Sequence, residues 1–310
     1  MIGRPGILFL AALLFPSTAV AQQTIEAGQV RLHYWPEQRA LAEQVLRRLQ
    51  EQPPLPALPD TVLAPASVDV YLAPDATRWD SLTGGAAPEW GAGVADPRAG
   101  VIVLPTYDWE RTPPHTVYRT LRHELAHVAL QRYLGPARTP RWFTEGYAQW
   151  AAGEWSWDAA WQLRLAFIGD AAPPLDSLTL DWPGLELDAR IAYLLSASAV
   201  AYLVELSGVR GLRIFLERWR DTSSFETAFR STYGLTPSQF EEDWRRHVRR
   251  SFGWTVILGH SAVFWAVAGI ILVVLFLIRR RRDRARLDRL RATEPPDDPA
   301  YWEVPPVDPD

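Results

Sequence analysis

The sequence predicts an α+β protein with a small N-terminal β-rich lobe, a helical C-terminal lobe and one C-terminal transmembrane helix. Three observations carry that prediction. Short alternating or β-branched runs are confined to the first third of the 310-residue chain. From Thr112 onward, apolar residues recur at helical spacing between well-marked start and stop signals. An almost wholly apolar run over residues 255–278 ends at four consecutive arginines, Arg279 to Arg282.

Residues 1–21 carry basic Arg4, an apolar stretch from Ile7 to Phe15 and then Ala19-Val20-Ala21, the layout of a secretory signal peptide with a small-residue cleavage site. Residues 22–111 form the N-terminal α/β lobe. Residues 30–35 alternate like a strand and stop at Pro36, and a helix follows over 37–52 with Leu41, Val45, Leu46 and Leu49 on one face. After a Pro-rich connector over 53–65, residues 68–72 read as a second strand. Residues 91–94 and 100–104, separated by Asp96-Pro97-Arg98-Ala99, read as a hairpin.

Residues 112–254 form the helical lobe. Thr112 can cap a helix with Pro113 at its first position, and Gly135-Pro136 ends it. Thr139-Pro140 repeats that opening for a second helix reaching about Gly153. Further helical patterns run over 187–206, 211–220, 225–233 and 237–252. The 24 residues of the apolar run then span about 36 Å as a helix, enough to cross a bilayer. The arginines behind it place the C-terminal side in the cytoplasm by the positive-inside rule. Residues 279–310 read as a basic, then disordered, cytoplasmic tail. The domain between leader and span therefore faces outward.

Charge and composition narrow the partners. Eight Arg and two Asp between Arg279 and Arg291 carry +6 of a chain whose formal charge is −4, leaving −10 for the rest. An acidic outer domain argues against nucleic acid, and the Arg run suits anionic lipid. There is no cysteine, so any metal must be held by His and carboxylate. The chain has no Lys and no Asn, so it has no Asn-linked glycosylation site. With the signal-like start, this favours a bacterial cell envelope: a single-pass membrane protein with an extracytoplasmic, periplasmic domain.

The chemistry concentrates in His123-Glu124-Leu125-Ala126-His127 and in Trp142-Phe143-Thr144-Glu145-Gly146-Tyr147-Ala148. Residues four apart on a helix share a face, so His123 and His127 can offer two imidazole nitrogens to one metal, with Glu124 beside them as a base. Glu145 can supply a third ligand. Two His and one Glu with an open fourth position is a known zinc set. Zn2+ there acidifies water, and Glu124 takes its proton and passes it to the leaving group. Two solvated histidines on a surface helix are the bland alternative.

These two segments, with seventeen residues between His127 and Glu145, resemble the gluzincin clan of metallopeptidases, most closely its peptidase MA-like envelope proteins. The resemblance covers residues 68–252 and implies a thermolysin-like fold, peptide or protein substrates, His123, His127 and Glu145 as zinc ligands, and Glu124 as general base. Clan members pair the substrate with the strand ahead of the metal helix, and residues 100–104 stand in that place as the substrate-edge strand. That strand lacks the Glu by which gluzincin aminopeptidases hold a free amino group. The clan also draws an oxyanion-stabilising Tyr or His from a later helix, for which Tyr193 is the first candidate and Tyr202 the second, each against simple core packing.

Trp142, Trp150, Trp155, Trp157 and Trp161 can line a pocket, although core packing explains them better. His115 reads as an exposed first-turn residue, while His33, His247 and His260 have no partner legible in sequence. The expected function is a membrane-anchored zinc metallopeptidase. Its rival is a catalytically silent envelope scaffold that keeps the fold and holds a peptide or protein partner.

Overall fold

The structure of the protein is a computed structural model that describes residues 21–64, 66–85, 92–107, 114–153, 172–251 and 262–293. It divides into two units, residues 1–251 and 252–310. In the first, the described residues form one mixed sheet from β1 (Gln23–Ala27), β2 (Val30–Tyr34), β3 (Val68–Ala73), β4 (Val94–Asp96) and β5 (Val101–Pro105), in the order β1-β2-β3-β5-β4. β2, β3 and β5 run parallel, and the two edges pair antiparallel.

Alternation decides what each sheet face does. Val30, Leu32, Val68, Val70, Ile102 and Leu104 all point to one side and are buried. Against them pack Leu41 and Val45 of α1 (Arg39–Glu51) and Leu121, Leu125 and Val128 of α3 (Pro114–Leu134). The other face is half covered by α2 (Ala76–Thr83), whose Trp79 packs on Ala73 and Val103. Asp75 caps α2 by accepting from the Arg78 N–H at 2.8 Å, and Gly84 ends it in the left-handed region at φ 66°. Neither α2 nor β1 is legible in the sequence. β1 is an edge strand with no buried position, so burial imposes no alternation on it.

The uncovered half of that face is polar. His33 on β2 lies between the Thr24 hydroxyl at 2.9 Å and the Asp69 carboxylate at 2.7 Å, and Arg31 reaches the other Asp69 oxygen at 2.6 Å. His33 thus has partners that sequence spacing could not supply. The hairpin strand expected over 91–94 lies at Val94–Asp96 instead, because Asp96 shapes the turn. Its carboxylate accepts from the Arg98 and Ala99 N–H groups, and its carbonyl accepts from Gly100.

The helical lobe comprises α3, α4 (Arg141–Ala151), α5 (Leu175–Leu180), α6 (Glu186–Thr222), α7 (Phe225–Tyr233) and α8 (Pro237–Ser251). The start expected at Thr112 lies outside the described residues. α4 begins one residue later than its Thr-Pro signal implied, because Pro140 stays extended (ψ 130°) while its carbonyl accepts from the Phe143 and Thr144 N–H groups. The helices expected over 187–206 and 211–220 are the two arms of α6, which meet at a kink where the Gly208 backbone is non-helical (φ 68°, ψ 174°). Aromatic rings fill the lobe: Phe143 lies 5.3 Å from Trp219 and 5.6 Å from Phe215, and Trp219 lies 4.8 Å from Phe225.

Among the described residues α6 is long and apolar enough to cross a membrane, with mean hydropathy 1.5 over its most apolar window. Its inward residues, among them Leu195, Val200, Leu203 and Phe215, are fully buried against protein, as in a core helix. In the second unit, α9 (Ala262–Ala292) carries exposed apolar side chains from Phe264 to Ile278 and then the arginines. Residues 255–261 of the expected span, and the expected signal peptide up to residue 20, lie outside the described residues. α9 continues through the basic segment after Ile278 to Ala292, since Arg, Leu and Ala are strong helix formers. Residues 294–310 lie outside the described residues.

One feature of the first unit ties the sheet to the helices. The Pro-rich connector between α1 and β3 cannot satisfy its carbonyls by a ladder, because proline has no N–H to continue one. Arg132 of α3 donates to the carbonyls of Leu63, Ala66 and Ser67 at 2.7, 2.8 and 3.0 Å, and Tyr147 of α4 donates to that of Pro56 at 2.7 Å. Replacing Arg132 with Met keeps the apolar stem and removes the fork. The expected cost is about 2 kcal/mol, read as a lower denaturant midpoint for the full-length protein in detergent; an unchanged midpoint would show that the connector is held by something else.

Candidate metal centre

From Leu121 to Leu134 α3 has no exposed residue, with the sheet on one side and α4 on another, so the polar residues of this stretch are interior groups. His123 is 9% exposed and Glu124 8%. One helical turn separates His123 from His127, and their Nε2 atoms come within 3.1 Å with the rings at 73° to each other. From the second turn of α4, Glu145 brings Oε2 to 3.3 Å from His127 Nε2 and 3.7 Å from His123 Nε2. Its side chain is 12% exposed.

Those separations test whether the group fits a metal. Bonds of about 2.0–2.1 Å in tetrahedral geometry put donor atoms roughly 3.3–3.4 Å apart. The three observed distances bracket that value. The donor chemistry agrees: two imidazoles and a carboxylate converge on one point, and this His-His-Glu group could hold a metal ion. Burial alone raises the Glu145 pKa, but the pairing with His127 and His123 outweighs it and holds the carboxyl well below the usual carboxylate range. A cation among these groups would favour the same ionised form.

Two contacts fix α4 against its neighbours. Arg122, next to His123, donates from Nε to the Ala151 carbonyl at the end of α4 at 2.7 Å, and its Nη groups donate to Pro53 and Pro54 at 2.9 and 3.2 Å. On the other side Gly146 lies so close to α6 that a Cβ there would fall 2.2 Å from the Ser196 carbonyl oxygen. Glycine is required at that crossing by space. Trp142, Phe143 and Tyr147, all buried, anchor the same face of α4.

The cluster opens into a cavity of about 480 Å3 whose walls include Glu124, Tyr193, Arg141, Gln149 and the β4 residues Val94 and Ala95. Gly93 lets the chain pass close to Glu124: a Cβ there would lie 3.1 Å from Glu124 Oε1 and 2.9 Å from Thr120 Cγ2. Tyr193 of α6 sets its ring 6.4 Å from His123 and 5.1 Å from Trp182. Tyr202, the second oxyanion candidate, stacks on Phe240 at 5.8 Å and contacts His247 at 4.5 Å, away from the cavity lining.

The strand over 100–104 is not an edge, because β5 is paired on one side with β3 and on the other with β4. The edge facing the cavity is β4. Trp142 is core at 3% exposure, while Trp155, Trp157 and Trp161 lie outside the described residues. His115 is exposed, and His247 pairs with Glu205 at 3.4 Å. Arg141 and Gln149 were missed, although each lies four residues from Glu145 and so on its helical face, a spacing that could have flagged them. Gly93 and Trp182 carried no such signal.

A family model described as Peptidase MA superfamily matches residues 60–250, well over half of the chain. No curated protein matches it.

Gly146→Ala is expected to push α4 from α6, costing about 1–3 kcal/mol and loosening the Glu145 position. Thermal unfolding and metal retention on the full-length protein check this, and a variant with wild-type values for both would mean the crossing tolerates a methyl group.

Proposed function

Since the chain belongs to the peptidase MA superfamily, we propose that it is a membrane-anchored zinc metallopeptidase of gluzincin type, acting on peptides or proteins outside the cytoplasmic membrane of a bacterial cell. The observation that carries this reading is the approach of the His123, His127 and Glu145 donor atoms to within 3.1–3.7 Å beside the Glu124 carboxyl in one cavity. His123, His127 and Glu145 would hold the ion. A bound Zn2+ supplies Lewis acidity, acidifying a water and polarising the carbonyl to be cleaved.

The residues of the chain do the rest. Glu124, in the same wall and mostly shielded from solvent, takes a proton from the attacking water and delivers it to the departing amine. Tyr193 donates its hydroxyl to the oxygen on which negative charge builds. The free edge of β4 takes an extended substrate as a further strand through backbone hydrogen bonds, and Pro97, lacking an N–H, limits that pairing at its far end. The exposed apolar side chains of α9 from Phe264 to Ile278 suit lipid, and the arginines that follow suit the cytoplasmic face.

Metal content and turnover test the reading together. Full-length protein is expected to retain one zinc, Glu124→Gln to retain it while losing about 10²- to 10⁴-fold in peptide cleavage, and Glu145→Ala to lose the ion. Equal retention by Glu145→Ala would remove that ligand; unchanged cleavage by Glu124→Gln would remove the base. Peptides held intact by a zinc-loaded wild type would instead identify a binding scaffold.

Tyr193→Phe separates the two tyrosines. It is expected to lower kcat about 10²-fold with zinc content intact, whereas Tyr202→Phe stays near wild type. Similar kcat values for the two variants would rule out Tyr193 as the oxyanion donor.

A further inference from the structure

Arg141 has a setting that the proposed reaction does not use. It begins α4, one turn before Glu145, and among the described residues it is the one permanently cationic side chain lining the cavity. Its guanidinium lies over the Trp182 ring at 4.7 Å, and the same ring contacts Tyr193 at 5.1 Å. Its Nε is 3.6 Å from Glu145 Oε1, an ion-pair distance too long for a good hydrogen bond. Glu145 turns its other oxygen to the histidines. Half of the Arg141 side chain is exposed.

The distance is ordinary for a pair four residues apart: Arg190 and Glu186, both well exposed, also lie 3.6 Å apart. The surroundings differ. Arg141 has one face covered by an indole, and its terminal donors make no protein hydrogen bond among the described residues. Stacking leaves the guanidinium edge available, and a planar fork of N–H donors matches a carboxylate bidentately.

We infer that Arg141 is a specificity-determining residue that binds a substrate carboxylate beside the bond to be cleaved. The carboxylate belongs to the chain end or to an acidic side chain; both present the same chemistry. This rests on the peptidase reading for its substrate class, and the test keeps the two apart.

The probes are fluorophore-labelled hexapeptides of alanine and leucine: one with a free C terminus, one amidated, one amidated with a single glutamate and one amidated with glutamine in its place. Binding is measured by anisotropy to zinc-loaded full-length Glu124→Gln protein in detergent, with metal content checked in every variant. One acidic peptide is expected to bind roughly tenfold or more tightly than its neutral counterpart, and which one identifies the source of the carboxylate. Arg141→Gln should bring that ratio close to one, and Arg141→Lys, which keeps the charge without the fork, should restore part of it.

Equal binding, absent binding, or a preference that survives Arg141→Gln, as when carboxylates ligate the metal directly, overturns the inference. Wild-type protein that shows the preference yet cleaves none of the peptides leaves Arg141 standing and removes the peptidase reading. Cleavage without any preference does the reverse.

Discussion

The structure of the first unit depends on one constraint: α3 is a core helix that carries two histidines and a glutamate. Its apolar residues Leu121, Leu125 and Val128 close the sheet core, so the turns that bear His123, Glu124 and His127 cannot rotate to water without opening that core. Burying three polar side chains in this way is costly unless each is satisfied. The convergence of both imidazoles with the Glu145 carboxylate is how the interior accommodates the two histidines, and it also brings together a donor set that could hold a metal ion. The groups that would destabilise the helix alone are the ones that hold the centre together.

Precision at the centre comes from contacts outside it. Arg122 shares a turn with His123 yet donates to α4 and to the Pro-rich connector, so the two helices that supply the donors are linked through a residue outside the His-His-Glu group. The crossing at Gly146 works the other way, letting α4 approach α6 until backbone meets side-chain space. Together they set the height and roll of α4. A shift of α4 there would change the distances from Glu145 to both histidines together.

The cavity combines a strand edge with a helical wall. β4 offers backbone groups, α3 the carboxyl of Glu124, and α4 and α6 the side chains Arg141, Gln149 and Tyr193. Trp182 lies behind that wall and touches both Arg141 and Tyr193, so a change in either is felt by the other through one ring.

Much of this was legible in the sequence because it is local. The His-Glu-x-x-His spacing defines one helical face, the Trp-Phe-x-Glu-Gly segment defines a second, and the strands at Val30 and Val68 declare themselves by alternation. Elements whose identity is set by partners were not: edge strand β1 has no burial to pattern it, and the short helices α2 and α5 are too brief to show a period. Sequence also pointed to the strand over 100–104 as the substrate edge, since chain order cannot reveal that β4 folds back to cover it. The sequence by itself thus determined which side chains share a helical turn, because that follows from the 3.6-residue repeat. Only the tertiary structure decided which turns face one another, that Tyr193 rather than Tyr202 lines the cavity, and that Arg141 stands at its wall, because those depend on how separate helices pack across a shared core.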